Sequence, residues 1–206
     1  MSAQPVHYEY PDHEPRRDAQ VTPRITGEPR EIAEQIEQAS GLRVEIIRGT
    51  LMMSPTPRRR HNLTIRCLRK LLAPHIDPDR DLFEVTSIPL PADPDDYATP
   101  DGVVCPVEAM DSDDWLLPGE DVDLAVEVTS PSERAVGTAD KIVWYAEARV
   151  PVLLYLHPAT GDWALYSRPS EDGYRTVTQG KYGDPAPLPE HLGGDLPTEH
   201  LPRYTR

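Results

Sequence analysis

Two short and densely apolar runs constrain the fold of this chain more than any other feature. Residues 124–128 read LAVEV and residues 152–156 read VLLYL, which is the composition expected of buried strands. Between these runs, apolar residues recur at helical spacing over residues 139–148. Helices and strands alternate along the rest of the chain as well. The sequence therefore predicts an α/β (α+β) fold in which helices flank a mixed central β-sheet.

Hydrophobic periodicity and turn residues predict the other elements. Helices are expected over residues 31–39 and 59–73, and a strand pair within residues 42–53. Further strands are expected over residues 82–90, 101–104, 163–167 and 173–178, with a loop over residues 91–96. Thr138 is expected to cap the helix over residues 139–148, because its side chain can accept a hydrogen bond from the first turn.

Length and local composition favour a single domain. The 206 residues suffice for one buried core but not comfortably for two. Residues 1–29 contain five prolines and little periodicity, which predicts a disordered or loosely attached arm. We expect the folded domain over residues 30–184 and a Pro-rich tail over residues 185–206.

Several features indicate a cytoplasmic protein. No run of the sequence is apolar enough to span a bilayer, and residues 1–30 lack the apolar segment of a secretory signal. Cys67 and Cys105 show no metal-binding spacing and are expected to be small buried residues in a reducing compartment. We expect no contact with a membrane. A symmetric homodimer is a reasonable expectation, since most soluble oligomers have this symmetry.

The charges are distributed unevenly. The formal net charge of -14 argues by itself against a protein that coats nucleic acid. Residues 77–127 contain sixteen Asp or Glu and one base, whereas residues 58–70 contain six bases and no acid. A basic helix beside an acid-rich segment suits a site that binds an anion and holds a cation. The alternative is a solvated basic face next to solvated acidic loops.

Glu127 lies inside the apolar run 124–128. A carboxylate in a central strand loses its hydration, and a buried charge persists only when it is paired, hydrogen-bonded or bound to a metal. A metal ligand is one interpretation of this residue, and a buried salt bridge is the other.

Asp101 and Lys141 complete a candidate constellation with Glu127. Asp101 opens another apolar strand, and if the two strands are neighbours, both carboxylates project from the same region of the sheet. Two such oxygen donors with room for water suit Mg²⁺ or Mn²⁺. Lys141 shares the apolar helix face with Trp144 and Tyr145, so it needs an anionic neighbour. Taken alone, Asp101 fits a turn, and Lys141 fits a side chain that extends to solvent.

The order of these motifs resembles the Uma2 family (the DUF820 group) of the PD-(D/E)XK nuclease superfamily. Pro100-Asp101 is followed by EVTSPS at residues 127–132 and then by Lys141 ahead of WYAEARVP at residues 144–151. The resemblance covers roughly residues 30–168. It implies a restriction-endonuclease-like core and hydrolysis of nucleic acid.

An upstream segment agrees with this resemblance. Residues 44–51 (VEIIRGTL) are similar to the opening motif of the family, although Arg48 and Thr50 replace two of its acids. His61 falls where the family has a His at the start of its basic helix. We expect His61 to contact phosphate or to cap that helix.

The resemblance implies a role for each matching residue. Asp101 and Glu127 match the metal-binding acids, and Glu45 matches an acid that the superfamily often adds. For Glu45, an exposed strand position is an equal alternative. Lys141 matches the lysine that this family places on the following helix, since Thr129 stands at the usual lysine position of the superfamily.

The leading hypothesis is a Mg²⁺- or Mn²⁺-dependent endonuclease with DNA as the first expected substrate, although RNA stays open. Asp101, Glu127 and Lys141 are its expected catalytic residues. The residues expected to bind the nucleic acid are Arg58, Arg59, Arg60, His61 and Arg66. One rival is an acidic interaction or regulatory protein with a relict site on the same fold. Another is a metal hydrolase that acts on a small phosphate ester.

Overall fold

The element order follows the expected alternation of helices and strands. The computed structural model describes residues 27–54, 56–129 and 135–204. Within these ranges the helices are α1 (Pro29–Ser40), α2 (Arg59–Leu72) and α3 (Ala135–Glu147). The strands are β1 (Arg43–Ile47), β2 (Thr50–Ser54), β3 (Arg80–Phe83), β4 (Ile88–Leu90), β5 (Asp93–Ala98), β6 (Gly102–Pro106), β7 (Leu124–Val128), β8 (Val152–His157), β9 (Asp162–Ser170), β10 (Gly173–Lys181), β11 (Ala186–Pro187) and β12 (Asp195–Leu196).

Six strands form the main sheet, in the order β10-β9-β8-β7-β6-β3. β7 and β8 are parallel, whereas the other neighbouring pairs are antiparallel. Parallel neighbours require a crossover connection, and α3 lies in the crossover between these two strands. The predicted mixed central sheet flanked by helices is confirmed.

The two faces of the main sheet pack against different helices, because side chains alternate along a strand. On one face, Val126 of β7 is buried in a cluster with Leu68 of α2. On the other, Ala125 of β7 is buried in a cluster with Tyr145 of α3. We refer to these as the α2 face and the α3 face. Glu127 is two residues from Ala125 and therefore lies on the α3 face.

Four strands form a smaller sheet, in the order β2-β1-β5-β4. Val44 and Ile46 of β1 are buried in a cluster that includes residues of α1. Ile47 belongs instead to the cluster on the α3 face of the main sheet. Because side chains alternate, Glu45 shares the direction of Ile47 and points towards the main sheet.

The single strand predicted over residues 82–90 is wrong. β3 pairs with β6 in the main sheet, whereas β4 pairs with β5 in the smaller sheet. Val85, between them, has a φ of 61°, a left-handed conformation that interrupts an extended strand. Apolar residues recur on both sides of the break, which favoured a single strand, although the consecutive polar residues Thr86 and Ser87 interrupt the alternation.

Two further local predictions are wrong. β5 occupies most of the segment that was expected to be a loop over residues 91–96. The acidic composition suggested a solvated loop, but Asp96 is buried and its carboxylate is hydrogen-bonded to groups distant in the sequence. Its carboxylate accepts hydrogen bonds from Nε1 of Trp144 at 2.6 Å and from the backbone N–H of Gly49 at 2.8 Å. α3 begins at Ala135, so Thr138 lies inside the helix and does not cap it.

The Pro-rich segment after β10 packs against the α2 face. β11 and β12 pair with each other, and the leucines around them are buried in the same cluster as Leu68, namely Leu188, Leu192, Leu196 and Leu201. Residues 1–26 of the expected N-terminal arm lie outside the described residues. Within the described ranges, no helix is long and apolar enough to cross a membrane.

Candidate active site

Lys141 is buried between two carboxylates on the α3 face. Its Nζ atom lies 2.7 Å from Oε1 of Glu127, and 3.0 and 3.1 Å from the two carboxylate oxygens of Glu45. The exposed fraction is 6% for Lys141, 6% for Glu127 and 4% for Glu45. The anionic neighbours that Lys141 was expected to need are therefore present, and they are shielded from solvent.

Two further donors hold the carboxylates of this cluster. The backbone N–H of Thr99 donates to Oε1 of Glu45 at 2.7 Å, and the hydroxyl of Tyr145 donates to Oε1 of Glu127 at 2.5 Å. Lys141 and Tyr145 are four residues apart, so they lie on the same side of α3. Glu45 is thus a buried member of the cluster and does not occupy the exposed strand position that the sequence left open.

Asp101 joins the cluster from the start of β6. Gly102 pairs with Val126 in the antiparallel register, so Asp101 lies alongside the end of β7. Its Oδ2 atom accepts a hydrogen bond from the backbone N–H of Val128 at 2.8 Å. β6 and β7 are therefore neighbours, and Asp101 and Glu127 lie at the same end of this strand pair.

A cleft of about 510 Å³ adjoins Asp101. Two side chains of the cleft contact Oδ1 of Asp101. Nε2 of His61 lies 3.0 Å from this atom, and the guanidinium of Arg43 lies 3.9 Å from it. The cleft is bounded by the ends of α1 and β2, the first half of α2 and the loop after β3. Of the three acids Glu45, Asp101 and Glu127, Asp101 is the one that lines the cleft.

Burial and neighbouring charges shift the pKa values of Glu127 and Lys141. Burial, with smaller contributions from the charges of Asp101 and Glu45, raises the pKa of Glu127 to about 8, although Lys141 acts to lower it. Burial alone would lower the pKa of Lys141, but Glu127 and Glu45 raise it above its ordinary value. The pKa of Glu127 thus rises mainly because the carboxyl group is buried, whereas the pKa of Lys141 rises because two carboxylates lie next to its ammonium group.

The donor chemistry of the cluster fits a hard divalent cation. Its carboxylate oxygens are the ligands that Mg²⁺ and Mn²⁺ prefer, and added positive charge would compensate the excess of acids. No group of three His, Cys, Asp or Glu side chains among the described residues is poised to hold a metal. Two carboxylates with water in the remaining positions are nevertheless typical of Mg²⁺, which retains several waters.

The residues expected to bind nucleic acid fall into two groups. Arg58, Arg59, Arg60 and Arg66 are exposed, and the Arg60 guanidinium donates to the backbone carbonyl of Arg203. The side chain of His61 is only 12% exposed and contacts Asp101. The structure therefore brings His61 together with the acid cluster, whereas the four arginines are exposed.

Sequence reasoning missed Tyr145, Arg43 and the Thr99 N–H. The spacing of Tyr145 from Lys141 was a signal that could have identified it, because residues at i and i+4 share a helix face. No local pattern indicates the contact of Thr99 with Glu45, which joins positions 54 residues apart.

The mixed sheet, its crossover helix and the buried acid–lysine cluster define a nuclease-like α+β protein. The chain belongs to the Uma2 family, described as "Putative restriction endonuclease", whose model matches residues 30–198. The family predicted from the sequence is thus confirmed. Its fold is similar to the crystal structure of "a putative nuclease belonging to DUF820" from Anabaena variabilis, with a TM-score of 0.63 and 15% identity. That match covers 77% of this chain and 89% of the other. No curated protein matches the chain.

Proposed function

We propose that this protein is a divalent-metal-dependent endonuclease that hydrolyses phosphodiester bonds of nucleic acid, with DNA as its first expected substrate. The observation that carries this proposal is the buried 2.7 Å ion pair of Glu127 with Lys141, next to the strand that Asp101 directly precedes. Membership of a restriction-endonuclease family supports the class of reaction.

In this proposal, Asp101 and Glu127 hold Mg²⁺ or Mn²⁺, and Glu45 is a further candidate ligand. The cation would acidify the attacking water and stabilise negative charge on the phosphoryl oxygen. Asp101 is suited to this role because it lines the cleft. His61 and the Val128 N–H orient its carboxylate from two sides.

Lys141 acts as a positive charge in the proposed mechanism and not as a base. The neighbouring carboxylates raise its pKa, so its ammonium group keeps its proton throughout the neutral range. A fixed ammonium group in a site shielded from water stabilises charge that develops on a phosphate. The exposed arginines at the start of α2 and along it would bind the phosphates on either side, namely Arg58, Arg59, Arg60 and Arg66.

The test is cleavage of plasmid DNA, single-stranded DNA and RNA with Mg²⁺ or Mn²⁺, using Glu127→Gln. This variant replaces a carboxyl group that could bind the cation with an amide but leaves Glu45 paired with Lys141, so the fold should be retained. We expect cleavage that EDTA abolishes and that falls about 100-fold or more in the variant.

The matched control is Glu120→Gln, which removes an exposed acid paired with Arg149. It should cleave like the wild type. Undiminished cleavage by a folded Glu127→Gln protein would remove Glu127 from the mechanism. Cleavage that persists in EDTA would contradict the metal requirement.

A second candidate function, an acidic interaction or regulatory protein on the same fold, is favoured by the net charge of -14. Thermal unfolding in Mg²⁺ or Mn²⁺ separates the two functions, because a ligand that binds only the native state raises the melting temperature. A protein without cleavage and without this rise fits the second function. A hydrolase of small phosphate esters would instead cleave a chromogenic ester without salt-sensitive binding to nucleic acid.

A further inference from the structure

Tyr145 occupies a position that the proposed chemistry leaves unexplained. Its side chain is fully buried, and its hydroxyl donates to Oε1 of Glu127 at 2.5 Å. The ammonium of Lys141 contacts the same oxygen at 2.7 Å. One oxygen of the Glu127 carboxylate therefore receives two donors from a single turn of α3.

The phenol of Tyr145 is a hydrogen-bond donor with a fixed role. Burial, together with the charges of Glu127 and Glu45, raises its pKa well above the ordinary value. The hydroxyl therefore keeps its proton and donates a hydrogen bond to Glu127. A neutral donor restrains a carboxylate without adding positive charge, so it does not compete with a cation as a second lysine would.

The ring of Tyr145 is held in place by its surroundings. Trp144 packs edge-on against it, with 5.3 Å between the ring centroids and an angle of 85° between the planes. Trp144 is in turn anchored by the hydrogen bond from its Nε1 to Asp96. The Lys141 ammonium lies 5.9 Å from the centroid of the Tyr145 ring. The hydroxyl is therefore presented to Glu127 by a rigid arrangement.

We propose that Tyr145 is a positioning residue of the metal site. With Lys141, it contacts Oε1 of Glu127 and restrains the carboxylate that would bind the divalent cation. This inference rests on the proposed function, because it assigns Glu127 as a ligand. Removal of a residue that hydrogen-bonds to a metal ligand and orients it commonly lowers the affinity for the metal about 10–100-fold.

The test compares Tyr145→Phe with Tyr174→Phe. Each variant removes one phenolic oxygen that donates a hydrogen bond, but Tyr174 donates to the backbone carbonyl of Val150 at 2.8 Å and contacts no carboxylate of the cluster. Binding of Mn²⁺ is measured without nucleic acid, from the loss of the electron paramagnetic resonance signal of the free ion. Cleavage is then measured as a function of the Mn²⁺ concentration.

We expect Tyr145→Phe to weaken Mn²⁺ binding about 10–100-fold, and high Mn²⁺ to restore most of its cleavage. Tyr174→Phe should bind Mn²⁺ like the wild type. Unchanged affinity in Tyr145→Phe would overturn the positioning role. Loss of the fold in Tyr145→Phe alone, seen by circular dichroism in EDTA, would also overturn it in favour of a purely structural tyrosine.

The result for the wild type separates this inference from the proposed function. Wild-type protein that binds Mn²⁺ and cleaves, beside a Tyr145→Phe variant of equal affinity, would overturn only the role of Tyr145. Wild-type protein that neither binds Mn²⁺ nor cleaves would overturn both.

Discussion

The two faces of the main sheet share the same strands but differ in chemistry. On the α2 face, Val126 and Val128 pack against Leu68 and other apolar residues of α2 and of the C-terminal segment. On the α3 face, the same strand presents Glu127 to Lys141. The first face is a conventional apolar core, and the second combines an apolar core with a buried cluster of charges.

This difference shows how one strand can serve stability and chemistry together. Because side chains alternate, β7 directs Val126 and Glu127 to opposite faces. Apolar burial on the α2 face stabilises the strand, while the charges on the α3 face carry a desolvation cost that their pairing only partly offsets. Substitutions on the two faces should therefore affect stability and activity separately.

The largest expected effect on stability comes from the α2 face. Leu68→Ala leaves a cavity beneath β7 and should lower the free energy of unfolding by about 2–5 kcal/mol. Leu63→Ala, on the same helix but 44% exposed, should change it by less than about 0.5 kcal/mol. Urea denaturation measures both variants. Divalent-dependent cleavage per folded molecule should be unchanged in Leu68→Ala, and its loss would show that the two faces are not separable.

A second effect, in the pH dependence of stability, should come from the α3 face. The pKa of Glu127 is about 8 in the folded protein, compared with an ordinary value of 4.5, so the folded state retains a proton that the unfolded chain releases. The contribution of Glu127 to stability is therefore present below pH 4.5 and is lost as the pH rises towards 8.

Urea denaturation in EDTA across this pH range measures that contribution. Glu127→Gln cannot titrate and should flatten the profile, whereas Glu120→Gln should retain the wild-type slope. Identical profiles for the wild type and Glu127→Gln would contradict the raised pKa.

The smallest effect is expected from an exposed base on α2. Arg66→Ala should leave the stability within about 0.5 kcal/mol and reduce the slope of log affinity against log salt by about 0.9 for duplex DNA. Arg175→Ala, an exposed base on β10, is the matched control and should leave the slope unchanged. Equal slopes for both variants would argue against nucleic-acid binding along α2.

Much of the fold could be predicted from local patterns. The periodicity of residues 59–73 anticipated α2, and the dense apolar runs anticipated β7 and β8. The prediction failed where long-range contacts outweigh local preference, as at Asp96, whose burial depends on Trp144 from a different element. It also failed at Val85, where a single backbone angle moves the chain from one sheet to the other.

The sequence predicted which residues belong to the candidate site but not how they contact one another. A carboxylate in an apolar strand and a lysine on an apolar helix face each required a partner, which identified Glu127 and Lys141 as members. The sequence left Glu45 undecided between a buried acid and an exposed strand residue. His61 was expected at phosphate or at a helix cap, and its contact with Asp101 depends on how α2 packs beside β6.

The sequence by itself determined the alternation of helices and strands, the family and the residues whose charges needed compensation. These follow from periodicity and from the cost of burying an unpaired charge, which are properties of short segments. Only the tertiary structure decided that Lys141 is shared between Glu45 and Glu127, and that Tyr145 and His61 hold the acids. Those contacts join residues from different sheets and helices, and their distances are set by packing that no local pattern encodes.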